Sequence, residues 1–250
     1  MKKRLAQISL FVIIGILLLG VVLGYILFSQ KNRAPEKIHS EIQLIHSFVE
    51  GCLQTSAKEA LFYIGQTGGY VTIPQPNLEE GVAFYLYDGK NYMPSRETIQ
   101  NEISSYVDFS LPFCINDFEM LSDFDIEKEG FTINVTIEDK KVFLNLNYPL
   151  TITKGESAYH IENFNTEIPV RLGAVYDAIQ ESMDEQMERT DAVCISCNYK
   201  ISEKYNVTFD FLDTNETTTL LVIVRNSESI LNYERYAFNY AIKLDERNDV

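Results

Sequence analysis

Residues 8–28 form an uninterrupted apolar run that contains no charged side chain. Only Ser9 and Tyr25 bring polar groups into it. Because a helix rises about 1.5 Å per residue, this run spans roughly 31 Å, close to the thickness of a bilayer's hydrocarbon core. The pattern predicts a transmembrane helix over 8–28, preceded by a cytoplasmic N-terminus of residues 1–7 and followed by a linker of residues 29–35.

After the linker, apolar residues recur at intervals of three and four, the spacing of one face of a helix. The members of this face are Ile38, Ile42, Ile45, Val49 and Cys52, and Ala60 and Ile64 continue it. Proline disfavours helical backbone in the residue before it, so Ala34-Pro35 breaks the first helix. Gly68-Gly69 is typical of a helix C-terminus. We predict a helical stalk over about 36–66, which either pairs as a short coiled coil or packs beneath a sheet.

Beyond residue 70 most apolar residues alternate with polar ones, as in half-buried strands. Ile133, Val135 and Ile137 alternate with threonine and asparagine, and Asp139-Lys140 turns the chain into a second alternating run. Asp88-Gly89 predicts a hairpin turn. Further strands are predicted at 150–153, 158–163, 206–212, 217–224 and 236–244.

Two further helices interrupt these strands. One follows Ser95, a helix-capping residue, and carries Ile99, Ile103 and Tyr106 on its apolar face. The other runs from about residue 169 to 189, with leucine, valine, isoleucine and methionine at helical spacing. Helices set among meandering strands define an α+β fold. Residues 36–250 are therefore predicted to form an extracytoplasmic α+β domain with a mainly antiparallel sheet.

Charge is distributed unevenly about the apolar run. The net charge is −15, and residues 1–37 contain six basic groups and one acid, which gives +5 and leaves −20 for residues 38–250. Lys2, Lys3 and Arg4 precede the run and favour a cytoplasmic N-terminus. So acidic a domain repels phosphate backbones and anionic lipid surfaces, which argues against a nucleic-acid partner and for a domain that stands away from the bilayer.

A cleaved secretory signal is the main alternative to a retained anchor. Such signals have an apolar core of about 7–15 residues followed by a small-x-small site. The run here is longer, and residues 28–33 offer no such site. Length therefore favours a helix that stays in the membrane.

Residues 3–15, which read Lys-Arg-Leu-Ala-Gln-Ile-Ser-Leu-Phe-Val-Ile-Ile-Gly, resemble the class III signal peptides of archaeal type IV pilin-like proteins. That resemblance implies cleavage on the cytoplasmic side of the apolar run, between Ala6 and Gln7. Leu5 departs from the charge that the family usually has there. The segment from Cys52-Leu53 to Gly68-Gly69-Tyr70-Val71 is also similar to uncharacterised archaeal membrane-anchored surface proteins.

Four cysteines make an even set, as expected in an oxidising compartment. Of the three pairings they allow, we favour Cys52–Cys114 with Cys194–Cys197, because the latter two are close in sequence. The alternatives are a redox Cys-x-x-Cys motif and a four-cysteine zinc site. Redox motifs begin a helix, whereas the residues after Cys197 read as strand; zinc sites favour a second paired motif.

Other polar residues give weaker signals. Residues 125–130 imitate the start of a calcium loop but have Thr136 where the loop needs glutamate, so we interpret them as strand and turn. His39, His46 and His160 lack metal-binding spacing. No residue is predicted to be catalytic, to bind a cofactor or to hold a metal. Three sequons begin at Asn134, Asn206 and Asn215 and are candidate glycosylation sites.

Together these patterns favour a single-pass cell-surface protein with a structural or binding role, such as a pilin-like or envelope component. Its expected partners are the lipid bilayer through residues 8–28 and other envelope proteins or further copies of itself. The alternative from a different class is a membrane-anchored extracytoplasmic enzyme or ligand-binding domain. A deep pocket lined by convergent acids or histidines would favour that alternative.

Overall fold

The computed structural model describes residues 40–79 and 81–246. The chain divides into two compact units, residues 1–43 and 44–250. Of the first unit, only the opening residues of a helix are described. No helix in the described ranges is long and apolar enough to cross a membrane. The span predicted at 8–28 and the Ala6–Gln7 bond lie outside those ranges, as does His39.

Four α-helices are present in the described part of the chain: α1 (Ser40–Thr67), α2 (Arg96–Ile115), α3 (Leu172–Met187) and α4 (Ile195–Tyr205). A 3₁₀ helix, Asn116–Leu121, follows α2 directly. The sequence predicted α1, α2 and α3 but not α4. The expectation that the chain becomes strand after Cys197 is therefore wrong, since a helix starts at Ile195 and strand begins only at Val207.

Ten strands lie among these helices in the described ranges. They are β1 (Asn77–Leu78), β2 (Val82–Tyr87), β3 (Lys90–Asn91), β4 (Asp125–Lys128), β5 (Thr132–Ile137), β6 (Val142–Lys154), β7 (Ser157–Ile168), β8 (Val207–Asp213), β9 (Thr219–Leu231) and β10 (Glu234–Lys243). Helices and separate sheets in this arrangement confirm the α+β class.

The first sheet has the order β1-β2-β10-β9-β8, with β3 paired to β2. Its one parallel pair joins β2 to β10, so the sheet is mixed rather than purely antiparallel. The predicted hairpin joins β2 to β3, and both turn residues, Asp88 and Gly89, have positive φ. Asp-Gly suits such a turn because aspartate and glycine tolerate left-handed backbone.

The second sheet is built around β6, the central strand. β4 and β5 pair with successive stretches of one edge of β6, and β7 pairs with the other edge. Burial alternates along β6, as its sequence predicts. Helix α2 covers the free edge of β5: Gln100 accepts the N–H of Ile137 at 3.2 Å, and Ser104 donates to the carbonyl of Ile133 at 3.1 Å. Covering an edge strand in this way prevents it from pairing with another chain.

Helices α1 and α2 run antiparallel, and α1 touches both sheets. The Cys52–Cys114 disulfide and the Tyr63–Tyr106 ring contact, 5.6 Å between centroids, join them along their length. Near its start α1 meets β7, where the rings of His46 and Phe164 lie 4.9 Å apart. Near its end α1 approaches β10 closely. Its core side chains are spaced as a helix face requires: Ile45, Val49, Leu53, Ala57, Ala60, Leu61 and Ile64 are all fully buried.

Candidate functional site

The most distinctive surface of the described domain lies where α2 ends. Pro112 occupies the last turn, and Asn116 caps the helix in left-handed backbone with its N–H bonded to the carbonyl of Pro112. Asp117 and Phe118 continue with φ of 54° and 59°. Three successive non-glycine residues with positive φ cost free energy, and such strain clusters at functional sites.

Burial of one ring offsets that cost. Phe118 is 5% exposed, and its ring lies 6.1 Å from Phe48 of α1 and 6.4 Å from Tyr148 of β6. The turn is therefore held by aromatic packing from a helix and from a sheet. As a consequence Asp117, on the other side of the turn, is presented to solvent beside Lys128 of β4.

A groove of about 300 Å³ opens beside this turn, and we call it the α2 groove. Its buried wall is formed by Ile115 and Tyr148, with the Phe131 ring in edge contact with Tyr148 at 5.3 Å. Its exposed rim carries the side chains of Asp108, Asp117, Lys128 and Glu129. The groove thus has an apolar wall and a charged rim.

The rim is anionic. Three carboxylates face one ammonium, and that ammonium, on Lys128, hydrogen-bonds the carboxylate of Asp117. This hydrogen bond raises the pKa of Lys128, so its ammonium stays charged. Burial raises the pKa of the Tyr148 hydroxyl, which stays neutral. The C-terminal end of α2 adds negative partial charge from its carbonyls. Cations are therefore favoured at the rim.

Two exposed phenylalanines extend the apolar surface along α2. Phe109 and Phe113 are 70% and 71% exposed, and their rings are in edge contact at 5.2 Å. Each directly follows a groove residue in sequence, Asp108 or Pro112. We call this pair the aromatic strip. Met120, 82% exposed, lies in the 3₁₀ helix that follows.

Sequence reasoning did not single out the aromatic strip. The buried face of α2 is Ile99, Ile103, Val107, Leu111 and Ile115. Phe109 and Phe113 stand four residues apart but two positions away from that face. The signal that could have identified these two phenylalanines is a pair of large apolar residues at helical spacing on a face of α2 other than the buried one.

A second, larger cleft of about 510 Å³ is polar. Asp88, Glu216, Asp245 and Glu246 contribute carboxylates to it, and Lys243 contributes an ammonium. No cluster of three or more histidine, cysteine or acidic side chains suited to a metal ion is found among the described residues. This cleft lacks the apolar wall that distinguishes the α2 groove.

The four cysteines lie in two pairs. Cys52 and Cys114 are bonded across α1 and α2 with Cα atoms 5.5 Å apart, and Cys194 and Cys197 are bonded with Cα atoms 5.3 Å apart. This is the pairing that the sequence favoured. Cys194 is the N-cap of α4, so the helix whose expected absence argued against a redox motif is present. Its apolar positions are hidden in sequence because the buried Asn198 occupies one of them.

The remaining sequence candidates are dispersed. Residues 125–128 form β4, as the strand interpretation predicts. His46 lies 3.4 Å from the carboxylate of Glu50, and His160 lies 3.7 Å from that of Glu162. The sequon asparagines Asn134, Asn206 and Asn215 are all exposed, on β5, at the end of α4 and in the β8–β9 turn respectively.

The chain was compared with protein-family models, with curated proteins and with solved structures, and none of the three comparisons gives a match.

Proposed function

We propose that the chain is a single-pass cell-surface protein whose extracytoplasmic domain binds another envelope protein through the aromatic strip and the α2 groove. The observation that carries this proposal is the exposure of Phe109 and Phe113 beside an acidic, apolar-walled groove. Exposed aromatic side chains of this kind are the usual anchors of protein interfaces. In this proposal the apolar run at 8–28 anchors the chain in the membrane, and the basic residues before the run set the orientation of the chain.

Charge identifies the partner's chemistry. The rim of the α2 groove is anionic, so the matching segment carries lysine or arginine next to an apolar side chain. Residues 38–250 carry a net charge of −20, so two copies of the domain repel one another. A different, basic envelope protein fits this surface better than a second copy of the chain.

Photocrosslinking in native membranes tests the binding proposal. A photoreactive residue at Ser105, exposed one turn before Phe109 on α2, is expected to give a heterologous adduct whose yield falls as salt rises, because charge attraction is screened. Phe109→Ser with Phe113→Ser, and separately Asp108→Lys with Glu129→Lys, should abolish the adduct. Matched controls are Tyr233→Asn, a fully exposed aromatic in the β9–β10 turn, and Asp213→Lys at the end of β8.

Two outcomes would overturn the binding proposal. An adduct of the chain with itself would make the strip a self-association surface. An adduct unaffected by both double variants would remove the strip and the groove from the interface altogether.

Topology is tested separately. Protease added outside intact cells should digest the region after Lys31, and protection until the membrane is opened would contradict the orientation. An N-terminal mass measurement on protein from native membranes would decide whether the bond between Ala6 and Gln7 is cut.

A further inference from the structure

The Cys194–Cys197 disulfide lies at the start of α4, in a setting unlike that of the other disulfide. Cys194 is the N-cap residue, and its Sγ accepts the backbone N–H of Cys197 at 3.3 Å. The hydroxyl of Ser196 lies 3.7 Å from the same sulfur. Donors at a helix N-terminus stabilise negative charge, and thiols placed there ionise more readily than free cysteine. The fold thus places Cys194 where a thiolate is stabilised.

Hydrogen bonds hold this turn independently of the disulfide. The backbone N–H of Asn198 donates to the carbonyl of Cys194 at 3.1 Å, and the Asn198 side-chain amide donates to the same oxygen at 2.9 Å. The buried amide oxygen of Asn198 in turn accepts from the hydroxyl of Ser182 on α3 at 2.6 Å. None of these bonds involves sulfur, so we expect the start of α4 to persist when the disulfide is reduced.

The two disulfides also differ in the loops that they close. Cys52 is 3% exposed and its partner Cys114 is exposed, and their bond spans 62 residues between two long helices. Cys194 and Cys197 are both partly exposed, and their bond spans only three residues. Opening a disulfide that closes a long loop costs the fold more stability than opening one that closes a short loop. Loop length and local bonding therefore separate an exchangeable disulfide from a structural one within the same domain.

An apolar surface flanks the accessible sulfurs. Ile195 and Tyr199 are each 65% exposed and stand four residues apart on one face of α4. The Tyr199 hydroxyl donates to the carboxylate of Glu203 at 3.0 Å, which orients the ring along the helix. Exposed apolar side chains next to a reactive group give an extended or unfolded peptide a place to dock.

From these features we propose that Cys194 and Cys197 form a thiol–disulfide exchange site that acts on cysteines of other polypeptides. In the oxidising direction, a substrate thiolate attacks Sγ of Cys194, the Cys194–Cys197 bond breaks, and Cys197 leaves as a thiolate that takes up a proton. A second substrate thiolate then attacks the substrate sulfur of this mixed disulfide. The substrate leaves as a disulfide, having given two electrons, and Cys194 leaves as the thiolate that the helix stabilises. Reduction of a substrate disulfide is the same sequence reversed. This activity is independent of the α2 groove.

The first test compares the two disulfides within one molecule. The full chain in detergent is equilibrated with mixtures of reduced and oxidised glutathione, the free thiols are alkylated, and each cysteine is assigned by peptide mass. Cys194 and Cys197 should become alkylated in mixtures that leave Cys52 and Cys114 bonded. If both pairs stay oxidised, or both open together, the proposal is wrong.

The second test identifies the exchanging sulfur. In Cys197→Ser the thiolate fraction of Cys194 at pH 7, followed by ultraviolet absorbance, should be roughly tenfold that of the same chain unfolded in urea. This variant should form a stable mixed disulfide with oxidised glutathione. The matched control is Cys194→Ser, which has one thiol in the same motif. This variant should form the mixed disulfide with glutathione more slowly. Equal thiolate fractions in the folded and unfolded chain would overturn the assignment, and an unchanged circular dichroism melt would show that the variants are folded.

Discussion

Gly65 lies where α1 comes closest to the first sheet. A methyl group at this position would stand 2.6 Å from the carbonyl oxygen of Ala237 and 3.2 Å from the hydroxyl of Tyr236. Real Cβ atoms do not approach a backbone oxygen so closely, so α1 or β10 would have to shift. The absence of a side chain at Gly65 therefore sets the separation of helix and sheet.

We expect Gly65→Ala to destabilise the domain by about 1–3 kcal/mol, the usual cost of overpacking a core. Gly51→Ala is a matched control in the same helix, because a Cβ there meets nothing within 4 Å. The control should stabilise by about 0.5–1 kcal/mol through the better helix propensity of alanine. Urea unfolding of the full chain in detergent measures both, and equal effects would contradict the packing argument.

Two buried tyrosines of the first sheet differ in one hydrogen bond. The Tyr85 hydroxyl donates to the carbonyl of Gly68 at 3.1 Å. The Tyr236 hydroxyl is buried and has no hydrogen-bond partner. Burial raises the pKa of both hydroxyls, so neither ionises near neutral pH.

Tyr236→Phe should therefore be neutral or stabilise the fold, since it removes an unpaired buried hydroxyl. Tyr85→Phe should destabilise it by about 1–2 kcal/mol, because the carbonyl of Gly68 loses its donor. Each variant removes one tyrosine hydroxyl from the first sheet. The difference between their effects on thermal unfolding therefore isolates the contribution of the Tyr85 hydrogen bond. A larger loss in Tyr236→Phe than in Tyr85→Phe would refute the assignment.

Among the elements, α1 and α2 are linked by the longer disulfide. A disulfide that closes a loop of 62 residues lowers the conformational entropy of the unfolded chain, and this raises the free energy of the unfolded state by about 4 kcal/mol. Cys52→Ala combined with Cys114→Ala should lower the free energy of unfolding by roughly that amount. Cys194→Ala combined with Cys197→Ala should cost less than half as much, because its loop is short. Urea unfolding of the two double variants gives the comparison, and an equal loss would show that the entropic account is insufficient.

Helices α3 and α4 are joined by Glu181, whose carboxylate accepts from the Lys204 ammonium at 2.6 Å and from the Tyr205 hydroxyl at 2.9 Å. The Lys204 hydrogen bond, then that of Tyr205, holds the pKa of Glu181 below 4.5. A lowered carboxyl pKa stabilises the fold above the unfolded value, and this stabilisation is lost as pH falls through the folded value.

Glu181→Gln should therefore cause a small loss of stability at pH 7, small because the group is near the surface. The difference from the parent chain should disappear as pH falls below 4.5. Thermal melts across this range provide the measurement. A difference that persists in acid would mean that packing, not charge, carries the effect.

Elements whose rules are local could be predicted from the sequence. The hairpin at Asp88-Gly89 follows from the backbone that those two residues tolerate. Helical spacing likewise predicts Ile99 and Ile103 on the buried face of α2, but Val107 is buried next on that face rather than the predicted Tyr106. α4 could not be found because Asn198, a polar residue, fills one of its core positions and is satisfied by Ser182 from a distant helix. The parallel pairing of β2 with β10 joins segments more than 150 residues apart in sequence, and alternation alone does not specify a strand's partner.

The α2 groove was hidden from the sequence for the same reason. Its lining comes from α2, from the turn after it and from residues 128–131 and Tyr148, which the packing of Phe118 and the pairing of β4 with β6 bring together. The cysteine pairs were accessible to sequence reasoning, because spacing and parity limit the choices. The chemistry of Cys194 was not, because it depends on whether a helix follows.

At the scale of the described domain, α1 joins the two sheets to one another. α1 meets β7 of the second sheet near residue 46 and β10 of the first sheet near residue 65. α2 covers β5 and is tied to α3 at its start by the Arg96–Asp177 ion pair. A disturbance of α1 therefore reaches both sheets, and we infer that residues 44–246 unfold as one cooperative unit.

The position of β10 has a consequence for the order of events during synthesis. β10 lies between β2 and β9, so β2 has no partner in the body of the first sheet until residues 234–243 have emerged. For most of the time that the chain is being made, β2 and the end of α1 near Gly65 therefore lack the strand against which they pack. Slow pairing of distant strands leaves a chain open to aggregation. The growing polypeptide thus benefits from chaperones that hold it until its final strand arrives.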